Sequence, residues 1–167
     1  LRTSGAAVVL SSTWRQDAVK TELIDEMLRC QGLAPIVGST AVLDGPGGRP
    51  EEICAWLEDN PGVSNWIAVD DMDLEVGGDA FARRMRGHFV RTDKDVGLTA
   101  EEADLAIAML ASGAAPTPAH ALGHLVQSPL GTAQGVGSVI LFCVHAPSVD
   151  LLGMSPEDRG VVVDFSA

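Results

Sequence analysis

The apolar positions fall into short, unalternating runs separated by stretches with helical spacing. Ala6–Leu10 (AAVVL), Trp66–Val69 (WIAV) and His88–Arg91 (HFVR) read as buried strands. Asp17–Gln31 reads as a helix with Val19, Leu23, Met27 and Cys30 on one face, stopped by Gly32. Pro35–Val42 offers a short strand and Asp44–Arg49 (DGPGGR) a turn. Pro50 suits the first turn of a second helix, where its missing N–H is not needed; that helix runs to Asp59 and ends at Asn60-Pro61-Gly62. Thr99-Ala100-Glu101-Glu102 is a capping box opening a helix to Leu110. Ala111–Ser138, punctuated by Gly and Pro, reads as linker or irregular surface. Beyond it, Ser138–Val144 (SVILFCV) and Val161–Val163 are apolar enough for interior strands. Apolar strands alternating with helices predict an α/β fold with a parallel sheet covered on both faces. Ligands in such folds sit beyond the carboxyl ends of the strands, so the residues after each strand are the candidates for chemistry.

Composition limits the partners. The 167 residues carry 23 Asp and Glu against 11 Lys and Arg, a formal net charge of −12. Binding a phosphate backbone or an anionic membrane needs the opposite sign, so neither is an expected partner. Aromatics make up 4% and Tyr is absent, which disfavours base-stacking platforms. The length fits one domain with a proper core. The charge is uneven: residues 1–110 hold 19 acidic and 10 basic residues, and residues 111–167 hold 4 acidic residues and one basic residue, Arg159. Three scattered cysteines (Cys30, Cys54, Cys143) make no disulfide framework, so a reducing compartment, cytoplasm or an organelle interior, is expected. No run approaches the roughly 20 apolar residues of a membrane helix. Leu1, not Met, stands almost directly before the first strand, which suggests a processed or incomplete product.

Two strand ends carry candidate chemistry. After Leu10 comes Ser11-Ser12-Thr13-Trp14-Arg15, three hydroxyls and a guanidinium leading into a helix. Such a set can cradle an anion. The competing reading is an N-cap cluster with Trp14 packed and Arg15 solvated. After Val69 comes Asp70-Asp71-Met72-Asp73, three carboxylates whose mutual repulsion a cation would relieve. Magnesium takes one or two carboxylates and keeps several waters. The competing reading is an Asp-rich turn. Arg49, just before the Pro50 helix, could sit near the same rim, though on its own it is uninformative.

In this order the pieces resemble the haloacid dehalogenase (HAD) superfamily of phosphotransferases over about residues 6–110. The strand ending in Ser11 looks like the family's second motif, Arg49 like its third, and Ile67-Ala68-Val69-Asp70-Asp71 like its fourth. Ser11–Arg15, Gly48–Ile53 and His88–Thr99 also resemble a small HAD subgroup. The resemblance implies a three-layer Rossmann-like core and magnesium-dependent hydrolysis of a phosphorylated small molecule. Ser11 and Ser12 would hold the phosphoryl, Arg49 would neutralise it, and Asp70 and Asp71 would bind the metal.

The family's first motif, a strand followed by two Asp that act as nucleophile and general acid/base, precedes all of this. Here only Leu1–Gly5 stand before the second-motif strand, so the core of residues 1–110 is expected to lack its central strand. Val139–Ala146 could fill the gap, with Cys143 and His145 at the two Asp positions and the site dead. Val161–Ser166 could do so with Asp164 as nucleophile. Alternatively the tail, residues 139–167, is an added strand or arm and the first motif is not in this chain. The competing class is a non-catalytic module, a subunit whose exposed sheet edge and tail dock on a larger assembly, with a partner protein supplying or covering the missing strand. His120 and His124, spaced i,i+4, would with Cys143 and His145 make a zinc set, though such spacing is usually incidental. Cys143 and His145 also form a weak candidate for a nucleophilic cysteine pair.

Overall fold

The computed structural model describes residues 1–112 and 138–142. Its elements are β1 (Ala7–Leu10), a 3₁₀ turn (Thr13–Gln16), α1 (Ala18–Cys30), β2 (Gly38–Ser39), α2 (Gly48–Asp59), β3 (Asn65–Asp70), α3 (Ala80–Met85), β4 (Phe89–Arg91), α4 (Ala100–Ser112) and β5 (Ser138–Phe142). The five strands form one sheet in the order β2-β1-β5-β3-β4, and every pair is parallel. This is the expected Rossmann-like α/β architecture.

Side chains along each strand alternate between the two helical layers. Val9, Ala68, Val139 and Leu141 pack with Ile53, Cys54 and Leu57 of α2 and Met85 of α3. On the other face, Ile67, Val69 and Val90 meet Ala106 and Leu110 of α4, while Val8 and Leu10 meet Ile24 and Leu28 of α1. Apolar residues stand on both faces of the central strands, which is why these runs do not alternate in sequence.

The sheet has no open centre. The expected gap between the second-motif and fourth-motif strands is filled by β5 of the same chain. Ala7–Leu10 pair with Val139–Phe142, and Asn65–Val69 pair with Ser138–Phe142. The reason is general: β1 and β3 each present a row of backbone donors and acceptors that burial leaves no water to satisfy. Among the described residues the edge strands are β2 and β4, of two and three residues. Edges that short offer little template for another chain. Among the described residues, the place between β1 and β3 is taken by β5.

Two local expectations change. The buried stripe of α1 is Ile24 and Leu28, while Val19 is 69% exposed and Cys30 is also exposed. Two stripes of four-residue spacing overlap on this helix, and contact with Val8 and Leu10 selects the one centred on Ile24. Arg15 is not solvated, as described below. The capping box behaves as expected: the Glu102 amide donates to Thr99 Oγ1 at 3.3 Å and Glu102 Oε2 accepts the Thr99 amide at 2.8 Å. Cys54 is a packing residue: burial pushes its thiol up to about 11, so it stays protonated at neutral pH. Among the described residues no helix is long and apolar enough to cross a membrane. The Val161–Val163 strand, His120 and His124 lie outside the described residues.

Leu141 is 1% exposed in the central strand. Leu141→Ala is expected to lower the unfolding free energy in urea by about 2–5 kcal/mol, the range for a well-packed buried leucine. A change below about 0.5 kcal/mol, the range of an ordinary surface substitution, would contradict the placement of β5.

Candidate active site

The register of β5 aligns the two strand ends that carry candidate chemistry. Phe142 pairs with Leu10 on one side and Val69 on the other. Ser11, the residue after β1, and Asp70, the last residue of β3, therefore flank the carboxyl end of β5 at the same level. Both are 1% exposed.

Arg49 joins them. It comes from the first turn of α2, launched by the Gly47-Gly48 turn. Gly48 has φ +54°, which favours glycine, and a Cβ on Gly47 would lie 2.7 Å from Glu51 Cβ and 2.8 Å from Phe81 Cδ2. The Glu51 carboxylate accepts the Gly47 amide at 3.1 Å and steadies the turn. From there an Arg49 Nη donates to the Ser11 carbonyl, and Nε lies 3.7 Å from Asp70 Oδ2. The Arg49 side chain is 10% exposed and that of Asp70 2%. Asp70 Oδ1 accepts the Met72 amide at 2.9 Å, and the Asp70 carbonyl accepts the Thr92 amide at 3.0 Å.

A second ion pair lies beside the first. Arg15 Nη2 is 2.7 Å from Glu52 Oε2, with side chains 4% and 9% exposed. The same guanidinium donates to the carbonyls of Ser11, Ser12 (2.8 Å) and Ala41 (3.2 Å). Thus Arg15, expected either to cradle an anion or to be solvated, is a buried staple. Ser12 is also buried, and its hydroxyl caps the 3₁₀ turn by accepting the Trp14 amide at 3.3 Å. Trp14 packs against the α1 layer, as its N-cap reading implies.

The Asp-rich run spreads apart. Asp70 points into the site, Asp71 is half-buried, and Asp73 turns outward to Arg91 at 3.2 Å while accepting the Glu75 amide at 3.1 Å. Further along the rim, amides of Asp95 and Val96 hold the Asp93 carboxyl below its ordinary value, and the Asp95 carboxylate holds the Lys94 ammonium above its own. Both are exposed. Thr40, unforeseen in the sequence, is buried at the end of β2 with its Oγ1 3.5 Å from Ser11 Oγ. Glu52 was also unforeseen. Its one legible signal was an acidic residue three positions after Arg49 on a helix face turned to the sheet. Asp164, Cys143 and His145 lie outside the described residues.

Over residues 1–103, more than half of its length, the chain matches the family described as HAD domain in Swiss Army Knife RNA repair proteins. The chain belongs to this HAD family. Comparison with curated proteins and with solved structures finds no match. The match ends within α4, so β5 of this HAD domain lies beyond it.

HAD proteins generally use magnesium. The donors of this HAD domain suit that ion in kind, since Asp70 and Asp71 offer hard carboxylate oxygens. They are few: among the described residues, no group of three or more His, Cys, Asp and Glu could hold a metal.

The buried pair itself is testable. Arg49→Met is expected to destabilise the HAD domain by about 3–5 kcal/mol, because it strands the Asp70 charge. Arg49→Met/Asp70→Asn should cost less than that single change, since no charge is left without its partner. A double variant as unstable as the sum of the single ones, by chemical denaturation, would contradict the pairing.

Proposed function

We propose that this domain receives a phosphoryl group at the carboxyl end of its sheet and is impaired as a magnesium-dependent phosphatase. The observation that carries this reading is the convergence of Ser11, Arg49 and Asp70 at the end of β5, whose sequence continues as Cys143-Val144-His145. Family catalysis needs a carboxylate in the sequence directly after the central strand. That carboxylate attacks phosphorus as the leaving group departs, and water later hydrolyses the aspartyl-phosphate. No Asp or Glu occurs between Glu102-Ala103-Asp104 and Asp150.

The remaining parts suit binding better than turnover. The Ser11 and Ser12 hydroxyls would donate to phosphoryl oxygens, and Arg49 would supply the positive charge. Asp70 and Asp71 would hold magnesium, which when bound offsets phosphoryl charge. Asp164 is the candidate for a carboxylate nucleophile, and it enters as a variant in the test. The family's description ties its members to RNA repair proteins. With a net charge of −12, a terminal phosphomonoester suits this chain better than a phosphate backbone.

The test combines orthophosphate titration with magnesium-dependent phosphate release from an aryl phosphate. The wild-type chain should bind orthophosphate and Ser11→Ala should bind it less tightly. Release by the wild type should fall at least about a thousandfold below that of the Cys143→Asp/His145→Asp variant, consistent with the cost of losing a nucleophile. Wild-type release matching that variant, abolished by Asp164→Asn, would assign the nucleophile to Asp164 and overturn the impaired reading. Absence of orthophosphate binding would overturn the phosphoryl reading.

A further inference from the structure

Two buried ion pairs sit one helical turn apart on α2, and Arg49 belongs to only one of them. Glu52, three residues after Arg49, shares its side of the helix. Glu52 Oε2 binds Arg15 at 2.7 Å, and Glu52 Oε1 accepts the Leu43 amide at 3.3 Å. Arg15 in turn reaches carbonyls after β1 (Ser11, Ser12) and after β2 (Ala41). One guanidinium–carboxylate pair therefore ties three segments of the rim: the end of β1, the loop after β2 and the first turns of α2.

The decisive detail is shared use of one carbonyl. The Ser11 oxygen accepts from Arg15 and from Arg49. Two guanidinia on a single oxygen lie close enough to repel strongly in a buried setting. Glu52 beside Arg15 and Asp70 beside Arg49 supply the two negative charges that make the group neutral. Loss of Glu52 would leave three charges with a net excess of one positive, and Arg49 carries the more exposed of the two guanidinia, 10% against 4%. It is the one with room to leave.

We infer that Arg15 and Glu52 are positioning residues that hold the Ser11 peptide and the first turn of α2 so that Arg49 stays at the carboxyl end of the central strand. The inference rests on the reading of that end as a phosphoryl site and extends it to two residues that need not touch the ligand. The planar fork of Arg15 serves several acceptors at once, which a lysine ammonium cannot reproduce in the same geometry.

The experiment uses the ¹⁵N-labelled full chain. The Nε–H resonance of Arg49 is assigned by its loss in Arg49→Lys, and its exchange with water is followed. The expected wild-type signal is protected. In Glu52→Gln the protection should disappear while the backbone amides of β1, β3 and β5 keep their positions. Orthophosphate, titrated on the Ser11 and Ser12 amides, should bind about tenfold more weakly, within the range for residues coupled in one network. That loss should vanish when Glu52→Gln is placed in the Arg49→Lys background, because the effect runs through Arg49. A purely structural role predicts the same loss in both backgrounds. If Glu52→Gln fails to fold, Arg15→Gln/Glu52→Gln, which strands no charge but removes the tie between the Ser11 peptide and the first turn of α2 that holds Arg49 in place, carries the same exchange test. A protected Arg49 Nε–H in either folded variant would overturn the inference. If the wild type binds no orthophosphate, the phosphoryl reading fails by that result alone, and the exchange arm still decides whether Arg15 and Glu52 position Arg49.

Discussion

A strand in the middle of a parallel sheet must find backbone partners along both edges, and this constraint organises the domain. β1 and β3 carry the candidate chemistry at their carboxyl ends, yet they do not pair with each other. β5 stands between them in register with both, over four residue pairs on one side and five on the other. Its buried side chains, Val139 and Leu141, complete the core layer under α2 and α3. Without a strand in that place the facing donors and acceptors would be stranded, and the two halves of the sheet would have no common level.

That common level is what turns separate strand ends into a site. It sets Ser11 and Asp70 side by side across one strand, within the reach of a single arginine from α2. The chemistry that follows is mostly about charge in a poorly hydrated place. Arg49 meets Asp70, and Arg15 meets Glu52, so four buried charges sum to zero. Burial of either member alone would be costly, and this explains why both arginines also draw on backbone carbonyls. The exposed loops differ in kind. There, Asp73–Arg91 and Lys94–Asp95 pairs stand in solvent, where such pairs contribute little to stability.

Much of this was legible in the sequence. The unalternating runs of β1, β3 and β4, the DGPGGR turn before α2 and the Thr99 capping box all carry local signals, and the structure holds each of them. Ser11, Arg49 and Asp70 were legible through their order after strands and before a helix. Other features depend on distant contacts. The face of α1 is set by Val8 and Leu10, not by its own spacing. The helix α3 is six residues long, too short for a period, although Asp79 caps it by accepting the Ala82 amide at 2.7 Å. Arg15 and Glu52 lie 37 positions apart, so nothing local announces their pairing. The place of β5 is the largest such case. Its apolar run was legible as a strand and stood as one of the segments that could fill the gap, while no local signal chose it for the place between β1 and β3.

Amide hydrogen exchange of the full chain tests this placement most directly. The account predicts that the Val139, Ile140 and Leu141 amides exchange as slowly as those of Val9, Ile67 and Ala68, through global unfolding alone. Exchange of the β5 amides much faster than these, in a chain whose β1 and β3 amides stay protected, would contradict it.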